Sequence, residues 1–236
     1  MKQVILALVL ATASAAPALA QETLPLLGGN PGQEVVIQHD YGYEMRLGAY
    51  FRASTLEGTI DHDIPVDYDD LFGSGVGFMI EASLLFDLGP GFQSGGYFSF
   101  GFDDYDGERD VDFEGNSLEA DDDMRITTFI FGYKGVFAIN PFWHAEFHAG
   151  LGFAMYEEVD GTLRVSPFPD ESVTIFKDSS GIAWDMGGRF GFNQPRFFFE
   201  AGFGWRFLDD PQEGDIDFNG GGPIQFAFEI GGGFRF

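Results

Sequence analysis

The sequence predicts an all-β fold: a closed, eight-stranded, antiparallel up-and-down barrel that crosses a membrane, with four long external loops and three short periplasmic turns. Three observations predict it. Eight stretches of about 11–15 residues alternate oily and polar or small side chains, the period of a strand with two unlike faces. The connections between them alternate strictly, long then short. The charges divide unevenly, near balance within the strands and overwhelmingly acidic in the long connections.

The strand at residues 223–236 is the clearest. Ile224, Phe226, Phe228, Ile230, Phe234 and Phe236 lie on one face, and Gln225, Ala227, Glu229, Gly231, Gly233 and Arg235 on the other. At about 3.3 Å per residue it spans roughly 45 Å, longer than a common globular strand and enough to cross a bilayer at a steep tilt. The other seven repeat the pattern. The first is residues 41–53, with Met45, Leu47, Ala49 and Phe51 opposite Glu44, Arg46, Gly48, Tyr50 and Arg52. The second and third, 75–88 and 92–102, flank a Gly89-Pro90-Gly91 turn; the fourth and fifth, 124–138 and 142–156, flank Asn140-Pro141. The sixth and seventh, 180–192 and 196–208, flank Asn193-Gln194-Pro195. Three tight turns and both termini therefore share one end. The other end carries four loops. Unpaired strand edges in lipid would cost several kcal/mol per unsatisfied group, so closure is expected.

The rest of the chain is read by composition. Lys2, the apolar run from Val4 to Ala13 and Ala18-Leu19-Ala20 predict a cleaved secretory signal peptide over residues 1–20. Residues 21–40, with Pro25, Gly28, Gly29, Pro31 and Gly32, predict an irregular lead-in, with a short strand at Val35-Val36-Ile37. Residues 41–236 form the barrel. No cysteine is present, so there is no disulfide framework.

Alternation does not say which face is outside, because a soluble carrier barrel alternates too. Charge does. The strand stretches hold seven acids and eight bases, nearly all on the non-oily face. The loops hold twenty-eight acids and only Arg109, Arg164 and Lys177 as bases. Balanced charges among many glycines suit a narrow interior, which eight strands leave just wide enough for side chains to fill. Buried charges must be paired there. The residues expected to form the lumen ion-pair network are Arg46, Arg52, Glu81, Glu146, Arg189, Glu200, Arg206 and Glu229. Phe and Trp near both ends of the oily face suggest aromatic girdles.

The alternating Phe228, Ile230, Phe234 and Phe236, with the long/short order of connections, resemble the small eight-stranded outer-membrane barrels, such as the transmembrane domain of outer membrane protein A and OmpX. The resemblance covers residues 41–236. It implies an outer-membrane location in a Gram-negative bacterium, a monomer, and an assembly signal at Phe234 and Phe236 read by the barrel-assembly machinery.

His144-Ala145-Glu146-Phe147-His148 is the most enzyme-like string. Its histidines lie about 13 Å apart along a strand, too far to share one metal, and a polar lumen network accounts for it. Barrel lipid A deacylases need His and Ser towards the bilayer, and barrel palmitoyltransferases need an apolar pocket. Neither pattern is present, so no enzyme and no cofactor is expected. The acidic runs at Asp103, Asp104, Asp106, Asp121, Asp122 and Asp123 read as solvated loops, with weak Ca²⁺ or Mg²⁺ binding that bridges to lipopolysaccharide as the functional alternative. A net charge of −26 opposes nucleic-acid binding. The function expected is a structural or surface-interaction protein of the outer membrane, its partners lipid and lipopolysaccharide. The alternatives are a narrow porin-like channel for ions or small polar solutes and, behind it, a lipid-modifying enzyme.

Overall fold

The computed structural model describes residues 23–25, 34–36, 42–61, 66–107, 110–113, 116–216 and 218–236. The signal peptide expected over residues 1–20 lies outside them. The chain divides into two units, Met1–Tyr41 and Gly42–Phe236. In the first, Thr23–Pro25 pairs antiparallel with Glu34–Val36. The short strand expected at Val35-Val36-Ile37 falls, for its described residues, on Glu34–Val36, and Thr23–Pro25 supplies a partner strand that the sequence did not mark.

The second unit is built on eight strands: β1 (Tyr43–Glu57), β2 (Gly75–Gly89), β3 (Phe92–Tyr105), β4 (Met124–Ala138), β5 (Trp143–Tyr156), β6 (Ser179–Asn193), β7 (Phe197–Leu208) and β8 (Ile224–Arg235). Each pairs antiparallel with its neighbours in sequence, and β8 pairs with β1, closing the barrel. The seam runs from Ile224 opposite Glu57 to Arg235 opposite Arg46. It continues through Phe236, whose N–H donates to Met45 O at 2.9 Å while its carbonyl accepts from Met45 N at 3.2 Å. The closed eight-stranded barrel is left without an unpaired edge, as a hydrocarbon environment demands.

The three short turns have local causes. Gly91 has a φ of +76°, which favours glycine, after Pro90. In the next turn the Asn140 side chain accepts the N–H groups of Phe142 and Trp143 at 2.9 and 3.0 Å, an Asx turn. In the third, Gln194 N–H donates to Phe197 O at 2.8 Å.

Exposure along the strands is inverted relative to a water-soluble protein. Phe153, Phe199 and Trp184 are 59–61% exposed, whereas Arg52 and Arg206 are 0% exposed. A soluble carrier barrel would show the reverse. Rings from neighbouring strands cover the outer wall in pairs such as Phe98–Phe131, Phe203–Phe226 and Trp143–Phe190. Such pairs add about 0.5–1.5 kcal/mol beyond area burial.

The four long connections are not the solvated loops that their acidity suggests. Segments Asp110–Phe113, Asn116–Ala120, Val159–Arg164, Glu171–Lys177 and Gln212–Glu213 form a five-stranded sheet. Thr59–Asp61 pairs with Val66–Asp67, and a one-turn helix, α1 (Tyr68–Leu71), follows. Val66, Tyr68, Leu71, Phe72, Leu118, Val159, Ile175 and Phe176 are buried, in one cluster with inward residues at the loop ends of the strands: Leu56, Tyr105, Met124, Ile126, Ala154, Tyr156, Ala183 and Leu208. Phe176 stacks on Tyr68 at 6.1 Å. Apart from Asp61, which is buried, the described acids of these segments face outward because one face of each segment is spent on this core.

Candidate functional site

The lumen is the candidate site. Its side chains come from alternate positions of strands whose opposite face is oily, so the sheet's period alone aims them inward. Glycine then makes room for the long ones. Arg189 on β6 lies between Glu146 on β5 and Gly202 on β7. A Cβ on Gly202 would sit 2.1 Å from Gly188 O and 2.9 Å from Arg189 Cγ.

At the turn end, Glu44 accepts from Arg46 Nε at 2.5 Å and pairs with Arg235 from the closing strand. One step deeper, Glu200 on β7 is gripped by three side chains from two other strands, β1 and β5. Arg46 Nη1 donates at 3.3 Å, Tyr50 Oη donates at 2.6 Å, and His144 Nε2 lies 2.7 Å away. The mid-barrel hub is Arg189. Its Nη1 donates to Glu81 at 2.9 Å and Glu146 at 2.8 Å, and its Nε donates to Glu229 at 2.8 Å. Its guanidinium lies 4.2 Å from the centre of the Tyr50 ring. Lys134 pairs with Glu81 and, at 2.9 Å, with Glu146.

Nearer the loop end, Arg52 pairs with Asp103 and lies 3.2 Å from Glu229. Arg206 donates to Asp185 and to Thr128, each at 2.9 Å, and lies 3.5 Å from Asp103. Tyr97 Oη donates to Asp185 at 2.9 Å. Above this layer begins the apolar cluster that the strand ends form with the long connections, which together make a cap over the barrel.

All eight residues expected in the lumen network lie there, none more than 4% exposed. The structure joins them in one network that also includes Asp103, Lys134, Asp185, Tyr50, Gln225, His144 and His148, none of which was among the eight expected ion-pair residues. Asp103 is a correction. Expected in a solvated acidic loop, with weak cation binding as the alternative, it is fully buried on the inner face of β3, because that strand runs on to Tyr105. Its parity matches Ser99 and Gly101, which was the available signal.

The other acidic candidates do not converge either. Asp104 pairs with Arg125 at 3.2 Å on the outer side. Asp121 accepts from the Thr162 hydroxyl at 2.8 Å, Asp122 from Asp160 N–H at 3.3 Å and Asp123 from Gly107 N–H at 3.4 Å. Asp106 is exposed, and its carbonyl accepts from Gly73 N–H at 2.6 Å. These carboxylates tie cap segments together. Phe234 and Phe236 are 51% and 73% exposed on the outer wall at the turn end.

The inventory of buried charge has a consequence. Within the barrel the described residues include six buried carboxylates (Glu81, Asp103, Glu146, Asp185, Glu200, Glu229) against five buried cations (Arg46, Arg52, Lys134, Arg189, Arg206). Most charges have opposite partners within 3.5 Å, which is what allows them to remain in a low-dielectric space. The network can hold a fixed internal geometry. Among the described residues it fills the lumen with charged side chains, not with the apolar lining that an acyl chain would need.

No protein-family model and no curated protein sequence matches the chain. Solved structures do, at low identity. Ail, the attachment invasion locus protein of Yersinia pestis, is 17% identical over 82% of this chain and 98% of its own, with a TM-score of 0.44. Neisserial surface protein A is 9% identical over 82% and 97%, with a TM-score of 0.42. The outer membrane protein OprG of Pseudomonas aeruginosa is 11% identical over 84% and 97%, also with a TM-score of 0.42.

Proposed function

We propose that this chain is an outer-membrane barrel of a Gram-negative bacterium that acts as a closed anchor, holding a folded acidic cap at the cell surface as a structural or surface-interaction protein. One observation carries the reading. The oily side chains point outward and the charged ones inward, and the lumen is filled by ion pairs below an apolar plug. Strands of 12–15 residues, tilted by about 40°, rise roughly 30–38 Å and exceed the apolar band of about 25 Å. The short turns then face the periplasm and the cap faces outward.

Ion passage would require both the salt-bridge layers and the apolar layer above them to open, so a channel is the poorer reading. The cap's negative surface suits cationic partners, or anionic lipopolysaccharide through bridging divalent ions. The chain works as a monomer, and Phe234 and Phe236 present the aromatic pattern for the assembly machinery. The charged side chains that fill its lumen oppose an acyl-binding pocket of the kind a lipid-modifying barrel enzyme uses.

Planar-bilayer recording tests the reading. The folded protein should raise no reproducible unit conductance, while showing a heat-dependent gel mobility shift and fractionating with outer membranes. Steady single-channel steps would replace the anchor by a pore, and a water-soluble monomer without detergent would end the membrane reading.

A further inference from the structure

We propose that the turn end of the lumen holds a binding site for one divalent transition-metal ion, of which zinc is the type, formed by His144, Glu146 and Glu200. The side chains converge from two strands that do not touch. His144 and Glu146 project inward from β5, and Glu200 projects from β7. Between them, in register with both His144 and Glu200, lies Gly191 of β6. A Cβ at Gly191 would stand 2.4 Å from His144 Cε1 and 2.6 Å from Glu200 Cγ, so only glycine lets the two meet across it.

One ligand atom from each of the three lies within 4.8 Å of the others. Metal bonds of about 2.0–2.2 Å need donors within roughly 4.4 Å of each other, a small side-chain adjustment. One imidazole and two carboxylates form a donor set that zinc accepts, with a fourth position left for water. Calcium wants six to eight oxygens.

Two further observations point to a cation here. Glu146 Oε2 is buried and has no hydrogen-bond partner, although Lys134 and Arg189 both engage Oε1. The ion would take the free oxygen without displacing either. The second imidazole nitrogen of His144, Nδ1, is likewise buried without a hydrogen-bond partner. Arg46 is the local competitor, at 3.3 Å from Glu200 Oε1. It can stay as an outer partner, while the 2.7 Å contact between His144 and Glu200 opens to admit the ion. The site is entered past the Glu44–Arg235 pair, whose side chains keep 12% and 22% exposure.

The test is calorimetric titration of the refolded full chain in detergent micelles with zinc chloride near neutral pH. Excess calcium is present to occupy the cap's acids. One saturable equivalent is expected. His144→Gln and Glu200→Gln should weaken it by at least about 10–100-fold, the range already seen for losing a partner outside the ligand set. Asp121→Asn with Asp122→Asn should leave it unchanged. Should either lumen variant lose the heat-dependent gel shift of a folded barrel, zinc-edge X-ray absorption of the unaltered protein decides, since one imidazole with oxygen neighbours is required. The proposal is overturned by the absence of a saturable equivalent, by undiminished binding in folded His144→Gln, or by a spectrum without imidazole scattering.

Discussion

Removing the Arg189 charge while keeping its bulk is the sharpest perturbation of the lumen. Arg189→Met retains an unbranched side chain against the Tyr50 ring but withdraws one guanidinium from Glu81, Glu146 and Glu229, now 2.8–2.9 Å away. Lys134 still covers Glu81 and Glu146, and Arg52 still covers Glu229. The carboxylates are therefore under-compensated rather than bare. Breaking a buried pair by deleting one partner costs about 3–5 kcal/mol. With a urea dependence of about 2 kcal/mol per molar, the unfolding midpoint should fall by about 1.5–2.5 M. The assay is reversible urea unfolding in micelles, followed by the gel mobility shift and by tryptophan emission. Glu229→Gln in the Arg189→Met background should recover part of the loss, because it removes one of the uncompensated charges. Arg125→Met, which deletes an exposed cation paired with Asp104 and Glu157, is the control and should leave the midpoint in place. A fall of less than about 0.5 M for Arg189→Met, or no recovery in the double variant, would refute the argument that the buried lumen charges depend on one another for compensation.

Two other outcomes follow from the cap. Phe176→Ala removes a buried ring that meets Tyr68, Phe72 and Phe218, and should destabilise the cap by about 3–5 kcal/mol; limited proteolysis should then cut the connections while the barrel core stays resistant. Tyr68 in α1 is held above the ordinary phenol range, first by burial and then by the phenol of Tyr156 and the carboxylates of Asp210 and Glu213. Its neutral form is favoured in the folded cap, so the associated stability is intact below pH of about 10 and declines above it, where only the unfolded cap ionises freely. Ultraviolet titration should show delayed, cooperative tyrosinate formation, and Tyr68→Phe should diminish that cooperative step.

The strands were legible because a two-sided sheet writes its geometry into every second residue. Tyr43–Glu57 through Ile224–Arg235 lie within four residues of the stretches marked by alternation alone. Charge balance told inside from outside, since a narrow interior tolerates only paired ions. Asp103 shows where this stopped. A run of acids looked like a loop, although its parity continued that of Ser99 and Gly101 into the barrel. Which arginine meets which carboxylate could not be read, because Arg189–Glu81 and Arg52–Asp103 span the lumen between strands that share no ladder. The cap was hidden for a related reason. Val66, Leu71, Leu118, Ile175 and Phe176 come from three separate connections, each too short and too acidic to signal a core. Local periodicity fixes which way a side chain points. Only closure of the barrel decides what it meets there, since contact across the lumen depends on strand order and register around the whole circumference.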